Sequence, residues 1–389
     1  MQHKLAMIEP VGGHRGNELF LYNLCSGLQD AGCHTTLYTC DETNFDAFHK
    51  PRFDVKKYYR RIYGSAPVLL RGLRYLKGSY QTVQDCHRHG VNIAHLHIYH
   101  FANREFVNQL LLQQQQIKTV LTIHDVEDFV KFGQTHTLKK YRRFEKRNPH
   151  TIVLSQYAKK KLMHYFPNTP QEQIHVIPLT DKDTLYYNPE RTKAEARKAL
   201  GLNPDDFIVM FFGQIKKVKG LDVLIDGFAR ALKGKSDAKL LIAGIRWKVG
   251  FDAFEKQIQE HQLGEQSILR LQYHPNEVKP DYFAAADIVV LPYREIFSSG
   301  VLVNAMHYRS AIICSDLPFF REYVKDGYDC LMFESENAES LAEQLSRVYD
   351  NRSLPEQLKG PARLTADTIF NTERIVEQTI KVYDQVMGS

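Results

Sequence analysis

Short apolar runs alternate along the chain with longer stretches in which apolar residues recur every three or four positions. In the first half the runs are residues 5–8, 35–39, 93–97, 119–124 and 151–155. In the second half they are residues 207–212, 239–243, 267–272, 288–292, 311–315 and 330–333. Each run is short and apolar on both faces, which predicts buried parallel strands. The intervening patterns, such as residues 18–31, 221–231 and 338–349, predict helices. Repeated βα units predict parallel sheets with helices on both faces, an α/β architecture. The alternation pauses between about residues 176 and 203, where Ile177-Pro178-Leu179-Thr180 leads into an irregular stretch and then a short charged helix ending at Gly201. A fresh unit begins at Phe207. The pause divides the chain into two Rossmann-like halves, residues 1–180 and 181–368.

Composition changes little in that picture. Of 389 residues, 43% are hydrophobic and 25% charged, the mix of a globular protein, so disordered, collagen-like and disulfide-dense classes are excluded. The opening Met1-Gln2-His3-Lys4 runs into a short apolar stretch and reads as no secretory signal, and no segment has the length of a membrane span. Six cysteines without a CxxC pair fit a reduced, cytoplasmic protein. Charge is more informative. Residues 1–180 hold 24 Lys and Arg against 14 Asp and Glu, while residues 181–389 hold 27 against 31, so the whole basic excess lies in the first half.

Three loops carry candidate chemistry. Val11-Gly12-Gly13-His14-Arg15-Gly16-Asn17 joins the first strand to the first helix. Its glycines let the backbone approach a ligand, although a tight strand-to-helix turn explains the same residues. Glu42, after the second strand, stands where dinucleotide enzymes bind a ribose, which keeps an oxidoreductase open. Gly213-Gln214-Ile215-Lys216-Lys217-Val218-Lys219-Gly220 puts three lysines between a strand end and a helix N-terminus, an arrangement suited to a diphosphate. Leu291-Pro292-Tyr293-Arg294-Glu295-Ile296-Phe297-Ser298-Ser299-Gly300-Val301 leads into a helix whose first amides form a second anion cradle.

The order of these motifs resembles retaining glycosyltransferases of the GT-B fold, family 4 (glycosyl transferases group 1), over nearly the whole chain. The stretches that carry it are "FGQIKKVKGLDVLIDGFA", "LLIAG", "YFAAADIVVLPYREIFSSGVLVNAM" and "SDLPFFREYVKDGYDCLMF". The first half adds "VGGHRGNELFLYNLCSGLQDAG", "HLH", "LTIHD" and "IVLSQYAKKKL". The resemblance implies two Rossmann-like domains with sheets facing across a cleft. Residues 1–180 would take the acceptor and 181–368 the nucleotide-sugar, with residues 369–389 a helix returning to the N-terminal domain. It implies transfer of a sugar from a UDP- or GDP-linked donor to a hydroxyl of a glycan or lipid-linked acceptor with retention of configuration, in bacterial polysaccharide or glycoconjugate synthesis. No metal or other cofactor is implied.

Residue by residue, Lys219 resembles the lysine that neutralises the donor diphosphate, and Lys216 supplies a second charge. Gly213 and Gln214 close the strand, Gln214 where many members carry arginine. Tyr273 and His274 resemble the loop against the nucleotide base. Ser298, Ser299, Gly300 and Val301 resemble the phosphate loop, and Glu322 a contact to donor hydroxyls. Gly12, Gly13, Asn17, His97 and His124 fall on the acceptor side, with His124 as the histidine that meets the transferred sugar. The chain departs from the family at the paired-glutamate motif. Asn304 replaces the second glutamate and Ile296 the first, so Glu295 reaches the donor only if its loop is shifted by one residue. Carboxylates bind hydroxyls more strongly than amides do, and a weakened or non-catalytic nucleotide-sugar-binding relative stays open.

Several other features carry more than one reading. His95, His97 and His100 invite a metal reading but lack a carboxylate or cysteine partner. Asp181-Lys182-Asp183 matches a DxD but falls in the linker. Residues 50–77 and 139–147 are basic, the first with interleaved tyrosines and leucines. Such segments suit a solvated helix face, an anionic acceptor, or a peripheral place on an anionic membrane, worth about 1 kcal/mol per charge near the surface. No nucleic-acid module is recognisable.

Overall fold

A computed structural model describes residues 3–12, 18–45, 51–99, 101–127, 138–147, 150–180, 186–246 and 250–388. Gly13, Asn17, Lys50, His100 and the Asp181-Lys182-Asp183 stretch lie outside the described residues, as do the side chains of Lys139 and Lys140. The chain forms two compact units, Met1–Lys182 with Phe370–Ser389, and Asp183–Ile369.

In chain order the first unit runs β1 (Lys4–Glu9), α1 (Glu18–Asp30), β2 (His34–Cys40), β3 (Asp54–Tyr59), α2 (Val68–Arg88), β4 (Ile93–Ile98), α3 (Asn103–Gln114), β5 (Lys118–Ile123), α4 (Leu138–Glu145), β6 (His150–Val153), α5 (Gln156–Tyr165) and β7 (Ile174–Val176). The second runs α6 (Lys193–Leu200), β8 (Phe207–Phe212), α7 (Leu221–Leu232), β9 (Ala238–Ala243), α8 (Asp252–Glu260), β10 (Ser267–Arg270), α9 (Lys279–Ala285), β11 (Ile288–Leu291), α10 (Gly300–His307), β12 (Ile312–Ser315), α11 (Pro318–Tyr323), β13 (Leu331–Phe333), α12 (Ala338–Asp350) and α13 (Leu354–Ile369). α14 (Thr372–Gly388) belongs to the first unit.

Both sheets are parallel. The first has the order β3-β2-β1-β4-β5-β6-β7 and the second β10-β9-β8-β11-β12-β13. In each, the order reverses beside the first strand of the unit, between β1 and β4 and between β8 and β11. Ligands of open α/β sheets bind at the carboxyl ends of the strands flanking such a reversal. All six residues of β8, Phe207-Ile208-Val209-Met210-Phe211-Phe212, are buried. Its odd-numbered residues join Leu221, Leu224 and Phe228 of α7 in the core, as expected for a strand covered on both faces.

α14 completes the first unit through specific contacts. A Cβ on Gly27 of α1 would lie 2.6 Å from Val376 Cγ2, so only glycine admits this approach. His3 and Asp384 meet at 2.8 Å, and Thr180 and Thr372 share a 2.7 Å hydrogen bond.

Two strands were not expected from the sequence. β3 lies inside the basic segment and sits at the sheet edge. Lysines are common on edges because they discourage pairing with other chains, and here they disguise the alternation. Lys56 is satisfied by Asp85 at 2.6 Å, and of the six residues only Tyr59 is fully buried. β7, at the other edge, has three residues, too few for a period to show.

Candidate functional site

In the second unit the reversal between β8 and β11 gathers most of the donor-side residues. β8 is followed directly by Gly213, whose φ is +117°. Gly244, at the end of β9, packs so closely on it that a Cβ would collide with the Gly213 carbonyl oxygen. A Cβ on Gly213 would itself meet Val301 Cγ2 of α10 at 3.3 Å. Glycine at both positions therefore lets the backbone after β8 lie against the start of α10.

The lysine loop then folds into one tight turn. The Lys219 amide donates to the Lys216 carbonyl at 2.9 Å, and Gly220 takes φ +63° to open α7. A Cβ at Gly220 would collide with the Pro292 carbonyl oxygen, so the loop is seated on the segment after β11. Arg294 clamps the two together. Its guanidinium binds Asp222 in a two-bond fork at 2.8 and 2.7 Å, donates to the Lys217 carbonyl at 2.9 Å, and reaches Glu336 at 3.0 Å. Its backbone amide donates to the Val218 carbonyl at 2.8 Å. Lys219 Nζ lies 3.6 Å from the centroid of the Tyr293 ring, and that ring is fully buried. A cation over an aromatic face is attracted by the ring's quadrupole.

At α10, the buried Ser299 caps the helix. Its hydroxyl accepts from the Leu302 amide at 3.2 Å, while the Gly300 and Val301 amides precede the helix's own hydrogen-bond ladder. Ser298, Gly300 and Val301 are half-buried. Asn304, one turn on, is buried. Ile296 is buried and Glu295 half-buried beside it, so apolar packing occupies the position of the missing glutamate. Gln214, Lys216 and Glu322 are half-buried. Tyr273 is exposed, whereas His274 is buried with Nε2 3.0 Å from the Arg270 carbonyl, and burial lowers its pKa.

In the first unit the reversal between β1 and β4 brings together Gly12, His97 and His124. Glu9, at the end of β1, is fully buried, and its carboxylate accepts from the Val11 and Gly12 amides at 3.1 and 2.6 Å. Gly12 has φ +61°, and a Cβ there would collide with Cys40 Sγ and Thr43 Oγ1. Glu9 therefore shapes the turn. The sequence signal for this role is a carboxylate directly before a Pro-Val-Gly-Gly turn.

His124 stacks on Tyr99 with centroids 4.1 Å apart, and its Nε2 lies 3.0 Å from His97 Nδ1. His97 Nε2 faces Met7 Sδ at 2.8 Å. Burial, reinforced by His95 and His124, holds His97 well below the ordinary histidine range, so it is neutral. A thioether can only accept, which places the single proton of His97 on Nε2. His97 Nδ1 then accepts from His124 Nε2–H. His97 is thus a support for His124. His95 stacks on His97 at 4.6 Å, and its ring nitrogens engage Tyr383 Oη at 2.7 Å and Thr122 Oγ1 at 2.6 Å. With their nitrogens engaged in this way, His95 and His97 offer no metal site. Among the described residues no group of three His, Cys, Asp or Glu is placed to hold a metal ion. Glu42 is exposed in the turn after β2.

Two parallel α/β units, each with polar groups at its strand reversal, define the GT-B class of nucleotide-dependent enzymes. The family model "Glycosyl transferases group 1" matches residues 192–365 and "Glycosyltransferase Family 4" matches residues 15–179. Together they span most of the chain, which belongs to the group 1, family 4-like glycosyltransferases. The lipopolysaccharide core biosynthesis mannosyltransferase LpsB of Rhizobium meliloti is 27% identical over 53% of this chain and 59% of its own. A D-inositol 3-phosphate glycosyltransferase of Corynebacterium aurimucosum is 26% identical over 51% and 48%. The chain thus spans about half the length of the curated relatives it matches. Among solved structures, sucrose-phosphate synthase of Thermosynechococcus elongatus superposes with TM-score 0.80 at 18% identity, covering 100% of both chains. Anabaena Alr3699/HepE, in complex with UDP and glucose, superposes with TM-score 0.78 at 16% identity over 99% and 100%. These two likenesses show the fold.

Proposed function

We propose that this protein transfers a sugar from a UDP- or GDP-linked donor to a hydroxyl of a glycan or lipid-linked acceptor, with retention of configuration, in bacterial polysaccharide or glycoconjugate synthesis. The observation that supports this reading is the packing of Gly220 on Pro292 and of Gly213 on Val301, which seats the loop carrying Lys216 and Lys219 and the start of α10 at the same β8/β11 reversal. A departing diphosphate is the ligand such a seat suits. The similar proteins, a mannosyltransferase and one solved in complex with UDP and glucose, agree with it.

In this reading the acceptor oxygen forms a bond to the anomeric carbon from the face the diphosphate leaves. The C–O bond to the diphosphate breaks, and the acceptor proton passes to the departing phosphate oxygen. Lys219 and Lys216 offset the charge that develops, so no metal or other cofactor is required. Asn304 hydrogen-bonds the ribose, Tyr273 and His274 flank the base, and Gly213 and Gln214 let the donor approach the backbone. Glu322, Glu295 and the half-buried Ser298 contact donor hydroxyls and phosphate, with the Ser299 cap fixing the phosphate amides. His124 hydrogen-bonds the transferred sugar. His97 positions it, and Gly12 falls on the acceptor side, to which the resemblance also assigns Gly13 and Asn17. The protein works in the cytoplasm, at the periphery of an anionic membrane.

Incubating the protein with UDP- and GDP-sugars and following the released sugar by NMR tests this. The reading requires slow hydrolysis of one donor, first giving the donor's own anomer, undiminished by EDTA. Donor binding with neither hydrolysis nor transfer would mark a non-catalytic relative.

A further inference from the structure

The histidine cluster of the first unit extends from the strand reversal to the last helix of the chain. Side chains alternate along β4, so His95 and His97 lie on one face, and their rings stack at 4.6 Å with 26° between the planes. His95 is buried and held at both ends. Its Nδ1 lies 2.7 Å from Tyr383 Oη, and its Nε2 lies 2.6 Å from Oγ1 of Thr122, which stands opposite His97 on β5. A neutral imidazole has one donating and one accepting nitrogen, and a hydroxyl can serve either. Two hydroxyls on two different elements therefore fix the plane of the His95 ring.

Tyr383 comes from α14. Its ring is fully buried, edge-on to His95 at 5.7 Å and to His3 at 5.9 Å, and the neighbouring Asp384 meets His3 at 2.8 Å. Burial pushes the Tyr383 hydroxyl well above the usual tyrosine range, so it keeps its proton. A phenylalanine would fill the same space and make the same ring contacts. What the hydroxyl adds is the bond to His95.

From His95 the contacts lead to His124. His97 lies between the face of His95, the Phe20 ring edge-on at 5.4 Å, and Met7 Sδ. His124 has Tyr99 on its face and Phe20 edge-on at 5.3 Å. These aromatic contacts set where the His124 ring lies. The bond between its Nε2 and His97 Nδ1 sets how the ring is turned.

We infer that Tyr383 is a positioning residue: through His95 and His97 it holds His124 in the orientation that meets the transferred sugar. This role rests on the reading of His124 under Proposed function, and it brings the returning helix into the acceptor-side machinery. Without the hydroxyl, a buried nitrogen of His95 loses its partner, a cost the ring relieves by turning. His97, stacked on it, then loses its fixed support. A misplacement of about 1 Å at a reacting group can cost about a hundredfold in rate.

Ring-nitrogen NMR shifts of the histidines in the full chain, read without donor, test this together with donor turnover. Wild-type His97 should show a single tautomer, protonated at Nε2. Tyr383→Phe should convert His97 to a tautomer mixture, move the His124 ring shifts, and lower kcat for donor about tenfold with KM little changed. Thr122→Val, which frees the other end of the His95 ring from a different element, should do the same. Thr379→Val is the control for loosening of α14. Thr379 is buried one turn before Tyr383, and its hydroxyl donates to the Ile375 carbonyl of its own helix at 2.8 Å. This variant should keep the wild-type shifts and kcat. Unmoved ring shifts in Tyr383→Phe, or equal movement in Thr379→Val, would overturn the inference. So would wild-type kcat in Tyr383→Phe beside a loss in His124→Ala. Wild-type kcat in both, with the ring shifts moved, would overturn the reading of His124 and not its positioning by Tyr383.

Discussion

At Gly220 the backbone takes φ +63° with the Pro292 carbonyl against the position a Cβ would occupy. Gly220→Ala combines left-handed strain with a clash against backbone that has no room to move. It should cost about 2–4 kcal/mol in denaturant unfolding and weaken donor binding, because the lysine turn loses its seat. Asn304, like Ile296, stands where the resemblance to the family leads one to expect a glutamate. Asn304→Glu should strengthen donor binding in calorimetry if the site is an ordinary ribose site; weaker binding would mean a pocket built around the amide. The residues legible from the sequence were those whose meaning is local: a glycine after a strand, a lysine before a glycine, a serine before a helix. Glu9 and Arg294 were not legible in their roles, because a carboxylate that shapes its own turn and an arginine that spans 72 residues to Asp222 acquire meaning only once the strands are ordered.

Between elements, Arg294 ties the segment after β11 to the lysine loop and α7. Arg294→Lys keeps the charge but not the fork. It should lower kcat/KM for donor by about tenfold to a hundredfold through misplacement of Lys219, with faster amide exchange at residues 216–220; unchanged exchange with lowered activity would point to a direct role instead. The strands β4 and β5 and the helix α14 share a different device, the histidine cluster. Burial pushes His95 down to about 3 and holds His97 well below 6.5. Both are neutral when folded and free to protonate when unfolded, so the stability they contribute is complete above 6.5 and is lost as pH falls from there towards 3. The slope should be about 1.4 kcal/mol per pH unit for each histidine. Denaturant titrations between pH 7 and 4 should show it, and His95→Gln should flatten it. The buried strands were readable because hydrophobic runs announce them. The edge strands β3 and β7 were not, the first for its lysines and the second for its brevity.

Across the whole molecule, the basic excess of the first half and the lysines of the second have separate explanations. In the first unit seven Lys and Arg fall within residues 55–84, across β3 and α2, with no Asp or Glu among them. In the second, which is slightly acidic overall, three lysines are concentrated in one loop at a strand reversal. Motif order along the chain was enough to anticipate two parallel α/β units and the return of the last helix to the first. The family assignment follows from the same order, read by two family models over adjoining halves. What composition could not reveal was orientation: which leucines of α2 face outward, and which histidine supports which. Those depend on tertiary packing and became visible only with the sheet orders in place.

The central claim is that Lys219, at the β8/β11 reversal, offsets the charge of a leaving diphosphate. Turnover of the preferred UDP- or GDP-sugar by the wild type and by Lys219→Ala tests it most directly. The account predicts a fall of about a hundredfold to a thousandfold in kcat with the melting temperature little changed. Near-normal turnover by a folded Lys219→Ala protein would contradict it.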